Sequence, residues 1–338
     1  MSNQANFWIN LPRPIIALAP MADVTDAVFR QLIAKYSKPA GPDVFFTEFV
    51  SADGLVHPEA QAKLKRELFY TKIEQPIVAQ LFSSNPTKMK QAASLVAGWG
   101  LAGIDINMGC PDKTVEKQKA GSALIKNPTL AQEIIIAAKE GVLEAGYSIP
   151  ISVKTRLGYN QLELPAWPEA LIAACPAAVT FHLRTRKEMS KVPARWEEAQ
   201  ILADIFSGTD ILLLGNGDVK TPAEAKTKAQ TYGLDGIMIG RGIYGRPWLF
   251  TGPDPDLKTR LSILIEHLEL FDRYYGQSEF NQQQFQGHQK NYAVMKKHFK
   301  AYVTDFTKAV ELRNLLMETT EATAAIDLLK RFIKNNLL

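Results

Sequence analysis

The sequence predicts a (β/α)8 barrel with an all-helical domain behind it, on three observations. Eight β-rich runs, each bounded by Gly, Pro, Asp or Asn, recur about every 30 residues. The runs are nearly continuous in apolar residues, as in Ile211-Leu212-Leu213-Leu214, which is how parallel strands covered on both faces read. The intervals between them carry helical periodicity, and eight alternating units with parallel strands form a barrel. A doubly wound open sheet is the alternative; the count of eight and the lack of an early GxGxxG turn speak against it.

In chain order the predicted strands are 15–20, 44–50, 76–82, 103–109, 150–157, 178–184, 211–217 and 236–242. Helical patterns fill 24–36, 86–98, 129–145 and 194–206. Pro86, Pro128 and Pro222 stand just inside such patterns, behind Asn85, Asn127 and Thr221 as caps. The barrel domain is expected over 1–252. Around 251–255 the pattern changes, and 256–338 reads as a helical domain with stretches at 257–275, 288–305, 308–318 and 321–335. The Gln-rich interval 276–287 reads as a loop.

Hydrophobic residues make up 46% of the 338 and charged residues 22%, enough for a sizeable core. Two cysteines cannot form a disulfide scaffold and suit a reducing compartment. The first ten residues lack a basic-then-apolar leader pattern, and no stretch approaches 18 uninterrupted apolar residues. A secreted or membrane-spanning protein is therefore disfavoured and a cytoplasmic one expected. The net charge of +4 is too mild to announce a nucleic-acid binder, so that question turns on where the basic residues lie.

A barrel carries its chemistry at the C-terminal ends of its strands. Those ends read Ala19-Pro20-Met21-Ala22-Asp23, Ala79-Gln80-Leu81-Phe82, Asp105-Ile106-Asn107-Met108-Gly109-Cys110-Pro111, Lys154-Thr155-Arg156, His182-Leu183-Arg184, Gly215-Asn216-Gly217-Asp218 and Gly240-Arg241-Gly242. Polar groups at so many strand ends point to a ligand cavity. The last two ends offer backbone N–H donors and an arginine after strands seven and eight, the usual phosphate position of this fold. Cys175 reads as structural. Cys110, in a loop at the mouth, is a candidate nucleophile, metal ligand or proton donor. With no second Cys or His at ligand spacing a metal is not expected, and a general acid is the better fit. Lys154 interrupts an otherwise apolar strand; it can form a Schiff base or stabilise an anionic ligand, and spacing does not decide between them.

Taken together, these strand ends, with Val24-Thr25-Asp26 and Thr185-Arg186, resemble the flavin-dependent tRNA-dihydrouridine synthases in order from about residue 15 to 250. The tail, with Lys297-His298 and Arg313, is also similar to the family's. The resemblance implies an FMN-containing barrel, NADPH or NADH as reductant, and a helical domain that helps hold tRNA, with no obligate protein partner. It places Pro20, Met21 and Ala22 against the flavin ring, and Gln80 and Lys154 at its polar edge. His182, Asn216, Gly217, Asp218, Gly240 and Arg241 would hold the ribityl phosphate. Asn107 would position the uracil, Cys110 would protonate its carbon 5, and Arg156, Arg184, Lys297 and Arg313 would meet the substrate. Basic residues around 113–126, 184–195 and 290–300 would supply RNA contacts. The chain departs from the family at Leu183 and Lys119, where Gly is usual; neither change removes a reacting group. The rival readings are a dihydroorotate dehydrogenase-like enzyme acting on a free pyrimidine, a Schiff-base aldolase built on Lys154, and a non-catalytic RNA-binding barrel.

Overall fold

The computed structural model describes residues 6–337 and divides them into two compact units. The first holds the described residues up to Pro20 together with Pro42–Gly242; the second holds Met21–Gly41 and the described residues from Ile243 onward.

The first unit contains β1 (Ile15–Leu18), β2 (Phe45–Ser51), β3 (Ile77–Phe82), β4 (Gly103–Asn107), β5 (Ile151–Arg156), β6 (Ala178–His182), β7 (Leu212–Asn216) and β8 (Gly236–Ile239). All pair in parallel in the order β1-β8-β7-β6-β5-β4-β3-β2. A single Ala17–Val44 bridge brings β1 to the start of β2, where the Leu18 N–H donates to the Val44 carbonyl at 2.9 Å. The predicted barrel is therefore present. Every residue of β1, β3, β4 and β8 is buried, because the sheet is covered on both faces.

The three proline-led helices are Pro86–Ala97, Pro128–Glu144 and Pro222–Tyr232. Asn85, Asn127 and Thr221 cap them by accepting the N–H groups of Lys88, Leu130 and Glu224 at 3.2, 3.2 and 3.1 Å. Proline at the first position gives up an N–H that has no partner in the helix anyway.

The packing divides the chain elsewhere than at residue 252. Helix Ala27–Ser37 lies between β1 and β2 in sequence, yet groups with the C-terminal helices Leu257–Tyr275, Glu279–Phe285, Met295–Tyr302, Ala309–Glu318 and Ala322–Asn336. It buries Phe29, Leu32 and Ile33 completely. Phe29 stacks on His267 at 5.3 Å, the Ala27 N–H donates to the Tyr275 hydroxyl at 3.2 Å, and Lys35 pairs with Glu266 at 2.6 Å. Helix Glu279–Phe285 corrects the expected loop. Ser278 caps it by accepting the Asn281 N–H at 3.0 Å, and Phe280 and Phe285 pack on Tyr274 and Tyr275. Its glutamines conceal two apolar anchors five residues apart.

His267 and His298 are buried side by side in this unit, ring centroids 4.5 Å apart, and neither Nε2 has a hydrogen-bond partner. Burial pushes His298 down to about 3 and holds His267 well below the usual imidazole range. The unfolded chain takes up protons near pH 6.5 that the folded chain refuses, so their contribution is present above that pH and lost as pH falls towards 3. Replacing His298 with Gln is expected to remove about 2 kcal/mol of the stability lost between pH 7 and 5. Urea midpoints at the two pH values check this, and an unchanged difference would refute it.

Candidate active site

Strand register assembles the site. Gln80, Asp105 and Ser152 are paired neighbours on β3, β4 and β5, and two residues further along Asn107 pairs with Lys154. On the last row Arg156 pairs with His182, His182 with Asn216, and Asn216 with Met238. Side chains two apart on a strand share a face. Lys154 on β5 donates to Asn216 Oδ1 on β7 at 3.3 Å, reaching past β6, which only the barrel interior permits.

On the β3–β4 side the contacts are polar and buried. Gln80 Nε2 donates to Asp105 Oδ2 at 2.7 Å, and Ser152 Oγ donates to Asp105 Oδ1 at 2.6 Å. Asn107 Nδ2 donates to Gln80 Oε1 at 3.0 Å, while Asn107 Oδ1 accepts the N–H groups of Gly109 and Cys110 at 3.1 and 2.9 Å. Burial pushes Asp105 up to about 6, against the pull of its hydrogen bonds and of the Lys154 charge.

Cys110 is held from several sides. The Cys110 carbonyl accepts the Ser122 N–H at 3.0 Å and the Ser122 hydroxyl at 2.9 Å. The Gly109 carbonyl accepts Arg156 Nε at 2.7 Å. A Cβ at Gly109 would be a tight fit, 3.1 Å from the Thr155 carbonyl carbon. The thiol packs against Phe49, Phe82, Val115 and Ala120, and burial pushes it above the ordinary cysteine range. It is therefore protonated at neutral pH, as a proton donor must be. The one Ser122 hydroxyl proton is shared between the Cys110 carbonyl and Glu116, 2.9 Å from Oγ; Glu116 in turn pairs with Arg186 and so ties the loop after β4 to the loop after β6.

Lys154 is half-buried and Arg156 buried. Burial, then mutual repulsion, lowers Lys154 to about 8; burial above all lowers Arg156 to about 10. Both remain cationic at pH 7. Arg156 also donates to the carbonyls of Thr185 and Met189 at 3.2 and 3.0 Å. It acts as a brace between loops, whereas the sequence suggested a substrate contact.

The β6–β8 side holds the basic and glycine-rich ends. Arg184, also expected to meet substrate, is 1% exposed. It donates to the Val192 carbonyl at 2.7 Å, lies 2.9 Å from His182 Nε2, and pairs with Asp218. A guanidinium only donates, so His182 Nε2 accepts and the ring carries its proton on Nδ1. Burial and the surrounding cations Arg156, Lys154, Arg184 and Arg241 hold His182 well below its usual range, and thus neutral. Burial works against the Asp218 carboxylate, but the Ala194 N–H and the two arginines outweigh it and lower its range. Arg241 pairs with Asp218 at 2.9 Å from an exposed position beside Gly240. Gly217 has φ +142°, and a Cβ there would fall 2.6 Å from that of Ala194. Pro20 follows β1, where the Ala19 N–H donates to Ile239 at 2.8 Å.

The remaining predicted residues belong to the second unit. Met21 donates its N–H to the Thr25 hydroxyl at 2.8 Å, and Ala22 follows it in the same turn. Lys297 pairs with Asp23 at 3.0 Å with about half its side chain exposed. Arg313 donates to the Val303 carbonyl at 2.8 Å, supporting the chain between two helices. Among the described residues no three His, Cys, Asp or Glu side chains converge as metal ligands.

Both departures from the family pattern have a physical account. Lys119 has φ +58°, the left-handed conformation glycine favours, so the loop keeps its shape. The non-glycine penalty is about 1–2 kcal/mol. Lys119→Gly is expected to recover about 1 kcal/mol net of glycine's entropy, read as a higher denaturant midpoint; an unchanged or lower midpoint would refute this. Leu183 is fully buried with negative φ, and so belongs to the packed interior.

Ser152, Ser122 and Glu116 escaped the sequence reading. Asp105 is legible at the end of the fourth strand, two residues before Asn107, but the sequence assigns it no role.

Comparison with known proteins gives the family. The family model for dihydrouridine synthase matches residues 17–337. A probable tRNA-dihydrouridine synthase of Staphylococcus aureus (strain MRSA252) is 40% identical over 332 residues, covering 97% of this chain and 95% of the relative. The probable tRNA-dihydrouridine synthase 2 of Bacillus subtilis (strain 168) is 39% identical, covering 98% of each. Among solved structures, histamine dehydrogenase from Rhizobium sp. 4-9 aligns over 95% of this chain and 62% of its own with a TM-score of 0.50; at 12% identity the likeness concerns the fold alone. The chain belongs to the dihydrouridine synthase family.

Proposed function

We propose that this protein reduces the C5–C6 double bond of uridines in tRNA to dihydrouridine, with FMN as cofactor, NADPH or NADH as reductant and Cys110 as proton donor. Family membership supports the reaction. The observation that carries the site assignment is the Cys110 thiol at the strand-end rim, protonated by burial and carried on a backbone that Asn107 and Ser122 bind at Cys110 and Arg156 binds at Gly109.

The donor set fits FMN. Lys154 offers an ammonium, one of whose bonds goes to Asn216. His182 presents an Nδ1 proton, and Arg241 is exposed beside glycine-rich backbone, which together suit a phosphate. Gln80, Asn216, Gly217, Asp218 and Gly240 complete the proposed cofactor set, Arg184 orienting His182 and Asp218 from behind. When bound and reduced, FMN supplies hydride to uracil carbon 6. The chain supplies the rest. Cys110 delivers its proton to carbon 5, Asn107 holds the Cys110 backbone, and Lys154 brings positive charge. The Phe49–Phe82 cluster around the thiol limits water. The uracil must leave its stack to be reached, so basic residues such as Lys297 are proposed to hold the RNA around it. Among the described residues no helix is long and apolar enough to cross a membrane.

Reconstitution with FMN, anaerobic reduction by NADPH and reoxidation by tRNA lacking dihydrouridine test this reading. Reoxidation with dihydrouridine appearing in the tRNA is expected. Reoxidation by a free pyrimidine but not by tRNA would move the reading to a dihydroorotate dehydrogenase-like activity.

A further inference from the structure

Barrel interiors are usually packed with Val, Ile and Leu. This one holds a carboxylate, Asp105, 1% exposed and below the reacting groups. Burying a carboxylate is unfavourable unless its partners offset it, and an apolar residue of similar size is often as good for stability. A packing role alone does not account for it.

We propose that Asp105 is a positioning residue for Cys110, acting by fixing the direction of a chain of amide hydrogen bonds through Gln80 and Asn107. The argument is one of polarity. An ionised carboxylate only accepts. Both Asp105 oxygens are engaged, one by the Ser152 hydroxyl at 2.6 Å and one by Gln80 at 2.7 Å, so Gln80 must present its NH2 group. Its carbonyl then faces Asn107, which must answer with its own NH2 group at 3.0 Å. That leaves the Asn107 carbonyl for the Gly109 and Cys110 N–H groups at 3.1 and 2.9 Å. Each amide could be reversed by a half turn in isolation. Reversal of the whole chain would set the Asn107 NH2 against two N–H donors, and Asp105 forbids it at the far end. The tether keeps the thiol among Phe49, Phe82, Val115 and Ala120.

This inference rests on the proposed role of Cys110, and the test separates the two. The FMN-loaded protein, in a Cys175→Ser background, is alkylated with iodoacetamide and the rate at Cys110 is measured. Asp105→Leu removes both acceptors while supplying the kind of side chain a barrel interior ordinarily packs. It is expected to unfold cooperatively, to raise the alkylation rate at least threefold and to slow dihydrouridine formation at least tenfold. The exchange Asp105→Asn with Gln80→Glu restores the polarity. The amide introduced at position 105 donates to the carboxylate introduced at position 80, which again only accepts from Asn107. The alkylation rate of this exchange variant should lie within threefold of the parent. A rise below threefold in Asp105→Leu, or a rate raised threefold or more in the exchange variant, would overturn the inference. Should Asp105→Leu fail to fold, the exchange variant decides alone by the same threshold. If Cys110→Ala forms dihydrouridine normally, the proton-donor role fails while the alkylation comparison still decides the role of Asp105.

Discussion

Cys110→Ala is expected to keep the flavin absorbance of the parent protein and to lose dihydrouridine formation by roughly 10²–10⁴-fold, the usual contribution of a positioned general acid. The size follows from the surroundings of the thiol. The thiol sits on a backbone clamped by Asn107 and Ser122. Its neighbours Phe49, Phe82, Val115 and Ala120 are apolar and discourage a substituting water. The fold should barely notice the change, because the backbone bonds that shape this loop come from residues 107, 122 and 156 and survive it. Flavin reduction by NADPH, measured alone, should stay near the parental rate. Stopped-flow of the two half-reactions checks the division. Parental reoxidation by tRNA in this variant would remove Cys110 from the chemistry.

Arg184→Ala should be the most damaging change on the opposite side of the mouth. It is expected to lower stability by about 3 kcal/mol and weaken FMN binding more than tenfold. One buried guanidinium meets the Val192 carbonyl, His182 and Asp218. Truncation leaves those acceptors short of donors and empties the space of a large side chain. Asp218 is about one-third exposed, so water relieves part of the loss and the figure stays at the lower end for a broken buried pair. His182 also loses the contact that sets its tautomer, and with it the directed Nδ1 proton. Arg184→Lys should rescue little, since an ammonium cannot reproduce a planar fork meeting separate acceptors. Denaturant unfolding and flavin titration give the two readouts. Parental FMN affinity in a destabilised variant would confine Arg184 to a structural role.

The strand ends were legible because a parallel barrel forces its chemistry there. Asn107, Cys110, Lys154, His182 and Asn216 stand out as polar interruptions at the ends of apolar runs, and register brings them together. The caps at Asn85, Asn127 and Thr221 were legible for a local reason, each bond spanning three residues. Arg156 and Arg184 were legible as strand-end residues but not as buried braces. Their partners lie on loops far along the chain, and charge alone suggests a surface. The 276–287 segment misled because its composition is polar, whereas its helix is secured by Phe280 and Phe285 against aromatic residues of another helix.

By itself the sequence determined the eight-stranded parallel architecture, the helical tail, the polar residues at the strand ends and the family. Period, apolar runs and capping are properties of neighbours along the chain. Only the tertiary structure decided that helix Ala27–Ser37 joins the C-terminal helices, that Arg184 sets the tautomer of His182, and that Asp105 lies behind Gln80 and Asn107. Those outcomes depend on which side chains meet across strands and loops distant in sequence, and on what burial does to a charge once it is there.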